Sequence, residues 1–471
     1  MSIAKQTEVV FAQVVTAVED VLFFPIPFPG VPEGMPFLVL WLLIGGIFFT
    51  LRFGFMNFLM IGHGIKVVAG KYKEEEGEGE ISSFQAVATV VSGTVGVGGN
   101  IAGVAIAVSL GGPGAVIWIM LAGLFCTANK FTEVIAGHKY RIKDHHGKYS
   151  GGAWHYLTNG LRDCGYGNLG KPLAILFALF CIGGTLGGGN MFQSNQATAI
   201  VTDTYPFMVG YDWVISLLMA ILIAVVLIGG IRRIAEVTEI LVPGMAFIYL
   251  TAGTAVLIFH HEAIPEALGI MIHHAFTPEA AGGGMVGALL IGLRRAFFSN
   301  EAGVGSAPIA HAASRNIHPV REGSAALIEP IIDSVIICTM TGLVIVVTGA
   351  YQNVDGMTGV ALTSMAFASV ISWFPHVLTV CVLLFAFSTA LTWSYYGERA
   401  WNYLTGERWV VVYYVVFCTL TFLGGISELG PVVALSDLML LSMAVPNLLG
   451  LYLMSGMIHR EIKEYRASLK K

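Results

Sequence analysis

Two stretches, SGTVGVGGNIAG (residues 92–103) and SNEAGVGSAPIAHA (residues 299–312), each set a polar, glycine-dense run partway through an otherwise apolar segment. At membrane depth such interruptions are tolerated only where the freed backbone lines a cavity or is buried in protein. Helix packing through small residues is the bland reading, because Gly99 and Gly103 fit a GxxxG contact. Packing accounts for the glycines but not for Asn100, nor for Ser299, Asn300 and Glu301 beside the second break.

The surrounding composition sets the environment. The chain has 471 residues, of which 55% are hydrophobic and 12% charged, about half the charge of a soluble protein. It cannot cover a soluble surface of this size. The net charge of −5 carries no basic patch, which speaks against a nucleic-acid partner. Six cysteines form no CxxC pair, so neither a disulfide framework nor a zinc site is expected. The first residues, MSIAKQTEVV, lack the basic and then apolar order of a cleavable signal, so the chain is expected to enter the membrane through its own spans.

Crossing roughly 30 Å of hydrocarbon takes about 20 mostly apolar residues. That ruler gives eleven candidate spans, near 36–57, 84–110, 113–138, 172–201, 212–230, 234–259, 284–312, 323–350, 372–397, 409–426 and 430–457. Such lengths exclude a transmembrane β-barrel. Lys and Arg collect in cytoplasmic loops, and 21 of the 25 basic residues fall in the odd-numbered loops and the tail, none in the even-numbered ones. The alternation predicts an outside N-terminus, a cytoplasmic C-terminus and a multi-pass protein of the plasma (inner) membrane. Residues 9–22 read as an amphipathic helix on the outer face within an N-terminal segment 1–35.

Topology sharpens the meaning of the two breaks. The second span, with the first break, runs inside to outside, and the seventh, with the second break, runs the other way. Two five-helix halves of opposite topology, 84–260 and 284–457, each opening with a broken helix, are the pattern of an inverted-repeat secondary transporter. The span at 36–57 is then an extra peripheral helix, and 458–471 a basic cytoplasmic tail. The fold class expected is an all-α polytopic membrane protein.

Several blocks resemble the alanine/glycine:sodium symporter family, whose fold is of the leucine-transporter type: TLRFGF (50–55), GTVGVGGNIAGVA (93–105), GGPGAVIW (111–118), GNMFQSNQ (189–196), FFSNEAGVGSAPIAHA (297–312), FSTALTWSYYGERA (387–400) and VPNLLG (445–450). The resemblance runs from about 36 to 458. It departs at Gly98 and Gly99, where family members usually carry one glycine before the Asn, as in GTVGLGNIAG, and at GGAWHYL (151–157), where GGPMYYL is commoner. It implies sodium-coupled import of small neutral amino acids such as alanine and glycine, with Na+ as the coupled ion and no enzymatic activity.

A half-helix starting near Asn100 would present the amides of Gly98, Gly99 and Asn100 to a substrate carboxylate. Acceptors for the ammonium would be carbonyls of the second break, at Ser299, Asn300 and Gly303, with the side-chain oxygens of Asn100 and Gln193. By resemblance Gln193 and Trp393 line the substrate pocket. Interhelical hydrogen bonding by Gln193 and interface packing by Trp393 stay open as alternatives. Sodium prefers oxygen ligands, and the fold would bring Thr389 and Ser388 beside the backbone carbonyls of Thr94 and Val95. Bonding of those hydroxyls to their own helix is the alternative.

Ionisable residues inside spans are functional candidates. Lys130 and Glu133 are expected to neutralise each other. Asp333, near mid-membrane and on one face with Glu329, is a candidate for a cation or proton pathway. Glu301 is expected to latch the second break through Arg294 or Arg295, and Asp437 to act as an outer-gate acid. The pairs His260/His261 and His273/His274 read as exposed loop histidines, with a metal site as the lesser alternative. Rival readings are proton-coupled transport through Asp333 or Glu301, and a channel. No HExxH or GxSxG motif points to an enzyme.

Overall fold

The computed structural model describes residues 22–28, 31–72, 77–143, 147, 149–227, 230–277, 284–352, 359–370 and 372–469. The amphipathic helix expected over 9–22 lies outside these residues except for Leu22. The described chain is mostly helical, with short hairpins at Pro25–Phe28/Val31–Pro36 and Ile142–Lys143/Tyr149–Ser150.

In chain order the helices that build the bundle and its breaks are α1 (Phe37–Arg52), α2 (Ser83–Thr94), α3 (Ala102–Gly111), α4 (Ala115–Lys139), α5 (Gly167–Thr204), α6 (Asp212–Leu227), α7 (Gly230–Phe259) and α8 (Ile264–Phe276). Then come α9 (Gly284–Asn300), α10 (Ala307–His311), α11 (Pro319–Val347), α12 (Val360–Ala368), α13 (Phe374–Thr405), α14 (Val410–Gly425), α15 (Leu429–Ser442) and α16 (Ala444–Ser468). Among the described residues seven helices are long and apolar enough to cross a membrane, or eight if the bent pair α2–α3 counts as one span. Two shorter apolar helices, α1 and α6, join them. Helices α8 and α12 occupy stretches expected as loops, each too short to register as a span.

Both glycine-rich stretches interrupt a helix. α2 begins at a capping box, in which Ser82 Oγ accepts from the Gln85 amide (3.1 Å) and Gln85 Oε1 accepts from the Ser82 amide (3.0 Å). It ends at Thr94; Val95 and Gly96 are non-helical, and the axis bends by 54° before α3. Residues Val97–Ile101, VGGNI, form a π-turn. A π-turn winds one more residue than an α-turn, which accommodates the second glycine of the Gly98–Gly99 pair. Between α9 and α10 the chain passes through left-handed backbone at Glu301 (φ 55°), Gly303 (φ 95°) and Gly305 (φ 92°). Glycine takes that conformation without penalty, whereas Glu301 is strained and must be held by its neighbours.

Candidate functional site

The two breaks touch. A Cβ on Gly99 would lie 2.9 Å from Ser299 Cβ, so only glycine permits the approach. Asn100, 1% exposed, closes the first break on itself and ties it to α11. Its Oδ1 accepts from the Gly96 amide (2.9 Å), and its Nδ2 donates to Asp333 Oδ1 (2.7 Å) and to the Asp333 carbonyl (3.2 Å). Asp333 Oδ1 also accepts from Ser299 Oγ (2.9 Å), and Oδ2 accepts from Ser334 Oγ (2.8 Å). Asn300 Nδ2 in turn donates to Ser334 Oγ (2.9 Å). One buried carboxylate therefore joins the first break, the second break and α11. Asp333 sits in another π-turn, Ile331–Cys338, and a further one, Gly187–Met191, ends two residues before Gln193.

Gln193 lies over the first break. A Cβ on Gly98 would come within 3.0 Å of its Nε2, which donates to the Gly188 carbonyl (2.9 Å). Its Oε1 is buried without a partner, 3.5 Å from where a Cβ on Gly96 would stand. It is an acceptor kept free beside the broken backbone. Trp393, 1% exposed, packs against Gly189, meets Tyr396 edge-on at 5.4 Å and donates from Nε1 to Glu301 Oε1 (3.2 Å). Glu301 Oε2 accepts from Ser306 Oγ. Glu301 thus latches the second break through Ser306 and Trp393, not through Arg294 or Arg295.

The second break has a further anchor in Glu133, which helical spacing had paired with a lysine. Glu133 Oε2 on α4 accepts from the amides of Gly303 (3.1 Å) and Gly305 (3.0 Å) and from Asn447 Nδ2 (3.1 Å). Lys130 instead faces Glu329, at 3.7 Å. The expected Lys130–Glu133 pair is therefore corrected: the broken backbone supplies Glu133 with charge-stabilising amides, leaving the lysine for α11. Carbonyls of the break are also occupied, that of Ala302 by Asn129 Nδ2 (3.4 Å) and that of Gly303 by Asn447 Nδ2 (2.8 Å). Asn300 Oδ1 accepts from the Ala302 amide (3.0 Å).

Among the residues considered for sodium, Thr389 meets the first break. The Gly96 amide turns to Asn100, so the Ser92 carbonyl lacks its helical donor, and Thr389 Oγ1 supplies one (2.8 Å). Thr94 and Val95 are buried at the same break. Ser388 Oγ bonds its own helix at the Phe385 carbonyl (3.1 Å). Thr392 Oγ1 reaches the Thr89 carbonyl (3.3 Å) and Ser92 Oγ (3.2 Å).

Both ends of the site are closed. Near one end Asp437 on α15 binds Arg294 (2.7 Å) and Arg295 on α9, beneath a cavity of about 360 Å³ walled by Ile106, Ile291 and Val433. At the other end the segment before α2 pairs with the segment after α10: the Glu80 amide donates to the Ala313 carbonyl (2.8 Å) and the Arg315 amide to the Ile81 carbonyl (2.8 Å). Arg141 caps the carbonyls of Ala312 (2.9 Å), Ser314 (2.6 Å) and Asn316 (3.2 Å). Next to this seam His311 lies between Glu322 and Glu329, 2.6 Å from each. Both imidazole nitrogens thus face a carboxyl group of α11, which ties the end of α10 to that helix. His260 and His261 bond their own backbone at the Val256 (3.3 Å) and Ile258 (3.0 Å) carbonyls. Among the described residues no three His, Cys, Asp or Glu side chains group as metal ligands.

The profile of the sodium:alanine symporter family matches residues 30–471. The chain belongs to that family. The sodium/alanine symporter AgcS of Methanococcus maripaludis is 38% identical over 91% of this chain and 94% of its own length. The probable sodium/glutamine symporter GlnT of Bacillus subtilis is 31% identical over 92% of this chain and 88% of its own. Among solved structures, the crystal structure of MhsT in complex with L-phenylalanine superposes with a TM-score of 0.53 at 14% identity, covering 80% of this chain and 98% of that one. The fold is accordingly of the leucine-transporter type, and the chain is a multi-pass membrane transporter, not an enzyme.

Proposed function

We propose that the protein imports small neutral amino acids such as alanine and glycine together with Na+ by alternating access. The observation that carries this reading is the contact of two helix breaks in a buried site joined by Asp333, with Gln193 Oε1 left unpartnered beside Gly96. The amides of Gly98 and Gly99 receive the substrate carboxylate and Gln193 Oε1 the ammonium, whereas the Asn100 amide, expected to join them, donates to the Gly96 carbonyl (3.1 Å) and Asn100 acts by shaping the break. Ser299, Asn300 and Gly303 form the facing wall and Trp393 the lid over it. Sodium is held by Thr389, with Ser388, and by carbonyls at Thr94 and Val95. Because sodium and substrate order the same unwound backbone, each favours the other's binding.

The spans number eleven when α1, α6 and the broken pair α9–α10 are counted with the eight above, arranged as two opposed five-helix repeats behind α1. The N-terminus lies outside and the C-terminus in the cytoplasm of the plasma membrane. The Asp437 pair then closes the outer side and the seam at 312–316 the inner side. In proteoliposomes, preloaded unlabelled alanine or glycine drives counterflow of labelled alanine; failure of both to do so refutes the substrate class. Proton coupling is a second reading, favoured by the buried acids Glu301 and Asp333, and is separated by applying a pH gradient without sodium.

A further inference from the structure

Outside the transport site, one cavity combines exposed cations with an apolar wall. It occupies about 410 Å³ in the angle between the end of α1 and the last turns of α16, within the range of small-ligand sites. His459, Lys463 and Arg466 line it at helical spacing, over a floor of Phe53, Met56 and Ile462. Lys463 and Arg466 are exposed and join no ion pair among the described residues. The His459 ring stacks on Phe53 at 6.2 Å, and its Nδ1 is buried without a partner. Arg466 also stands in the final turn of its helix, where the helix dipole favours a cation. Beside the floor residues, Leu51, Phe55 and Leu59 are 63%, 50% and 66% exposed. At the end of a membrane helix such side chains face acyl chains.

Two such cations above an apolar wall match an amphipathic anion, and basic pockets at the ends of membrane helices suit acidic lipid headgroups. We propose that this cavity binds the phosphodiester headgroup of an anionic phospholipid from the leaflet around the end of α16. Lys463 and Arg466 contact the phosphate, and the acyl chains run along Leu51, Phe55 and Leu59. The bound lipid would brace α1 against α16, which already meet through Trp41 Nε1 and the Ala444 carbonyl (3.1 Å).

The test is native mass spectrometry of the detergent-purified full chain titrated with phosphatidylglycerol or phosphatidylcholine, with and without inorganic phosphate. The unmodified protein is expected to retain one phosphatidylglycerol. Lys463→Gln with Arg466→Gln should weaken retention about 30-fold, at roughly five-fold per charge, while neutralising Arg162 and Lys171 changes nothing. Arg466→Gln alone should lie between. Equal retention by the unmodified and doubly changed proteins overturns the proposal, as does equal retention of phosphatidylcholine. Displacement by millimolar phosphate overturns the lipid source in favour of a free anion. None of these readouts depends on what the protein transports.

Discussion

Asp333→Ala removes an acceptor shared by three buried donors, Asn100 Nδ2 (2.7 Å), Ser299 Oγ (2.9 Å) and Ser334 Oγ (2.8 Å). Asn100 retains the Asp333 carbonyl at 3.2 Å, so its loss is partial; the two hydroxyls lose their acceptor. At about 1–3 kcal/mol for each buried group left unpaired, the change costs about 3–6 kcal/mol, a large share of the roughly 5–15 kcal/mol that separates folded from unfolded proteins. Asp333→Asn keeps the shape and one carbonyl oxygen for Asn100 and Ser299, and weakens charge-assisted bonds to neutral ones, about 1 kcal/mol each. The alanine variant should therefore unfold at markedly lower temperature. The asparagine variant should fold but bind alanine at least about ten-fold more weakly, because about 1.4 kcal/mol of coupling between the breaks is enough for that factor. Thermal denaturation of purified protein and initial uptake rates in proteoliposomes separate the two effects. An Asp333→Ala protein with unchanged melting and unchanged alanine affinity would refute the reasoning.

Other outcomes follow from single contacts. Thr389→Val preserves shape but strips the donor from the Ser92 carbonyl, and should raise the sodium concentration for half-maximal uptake about ten-fold, an effect of about 1–2 kcal/mol; Ser388→Ala, whose hydroxyl bonds Phe385, should have the smaller effect. Asp437→Asn removes the charge that pairs with Arg294 and Arg295, and labelling of a cysteine introduced at Val433 from the outside should rise several-fold. Burial pushes His155, in the short helix Ala153–His155 between α4 and α5, down from 6.5 to about 4. The folded protein then binds fewer protons than the unfolded chain between those values, so stability is full above pH 6.5 and falls toward pH 4, by up to about 3 kcal/mol. Melting temperatures measured across that range should decline, and His155→Gln should flatten the decline.

The breaks were legible because clustered polar residues and glycines are costly inside an apolar run unless they build a site, and Asp333 because a carboxylate that deep must be held. What held it was not legible. Asn100 and Asp333 are 233 residues apart, and Glu133 reaches Gly303 across 170. Helical spacing alone suggested that Lys130 and Glu133 pair, since neighbours three apart share a face. The backbone amides released by the break compete for the carboxylate and win, a contribution that arises only once the break is folded against α4. The π-turns at 97–101 and 187–191 had a sequence signal, the glycine runs 98–99 and 187–189, and that at 331–338 had none. Helix α8 escaped notice because 13 residues are too few to span a bilayer.

That an ion gradient and an amino acid meet at the two breaks is tested most directly by uptake of labelled alanine into proteoliposomes holding the purified chain, under an inward sodium gradient and under a matched potassium gradient. Accumulation above the equilibrium level with sodium alone is the result predicted, and equal accumulation with either cation would contradict it.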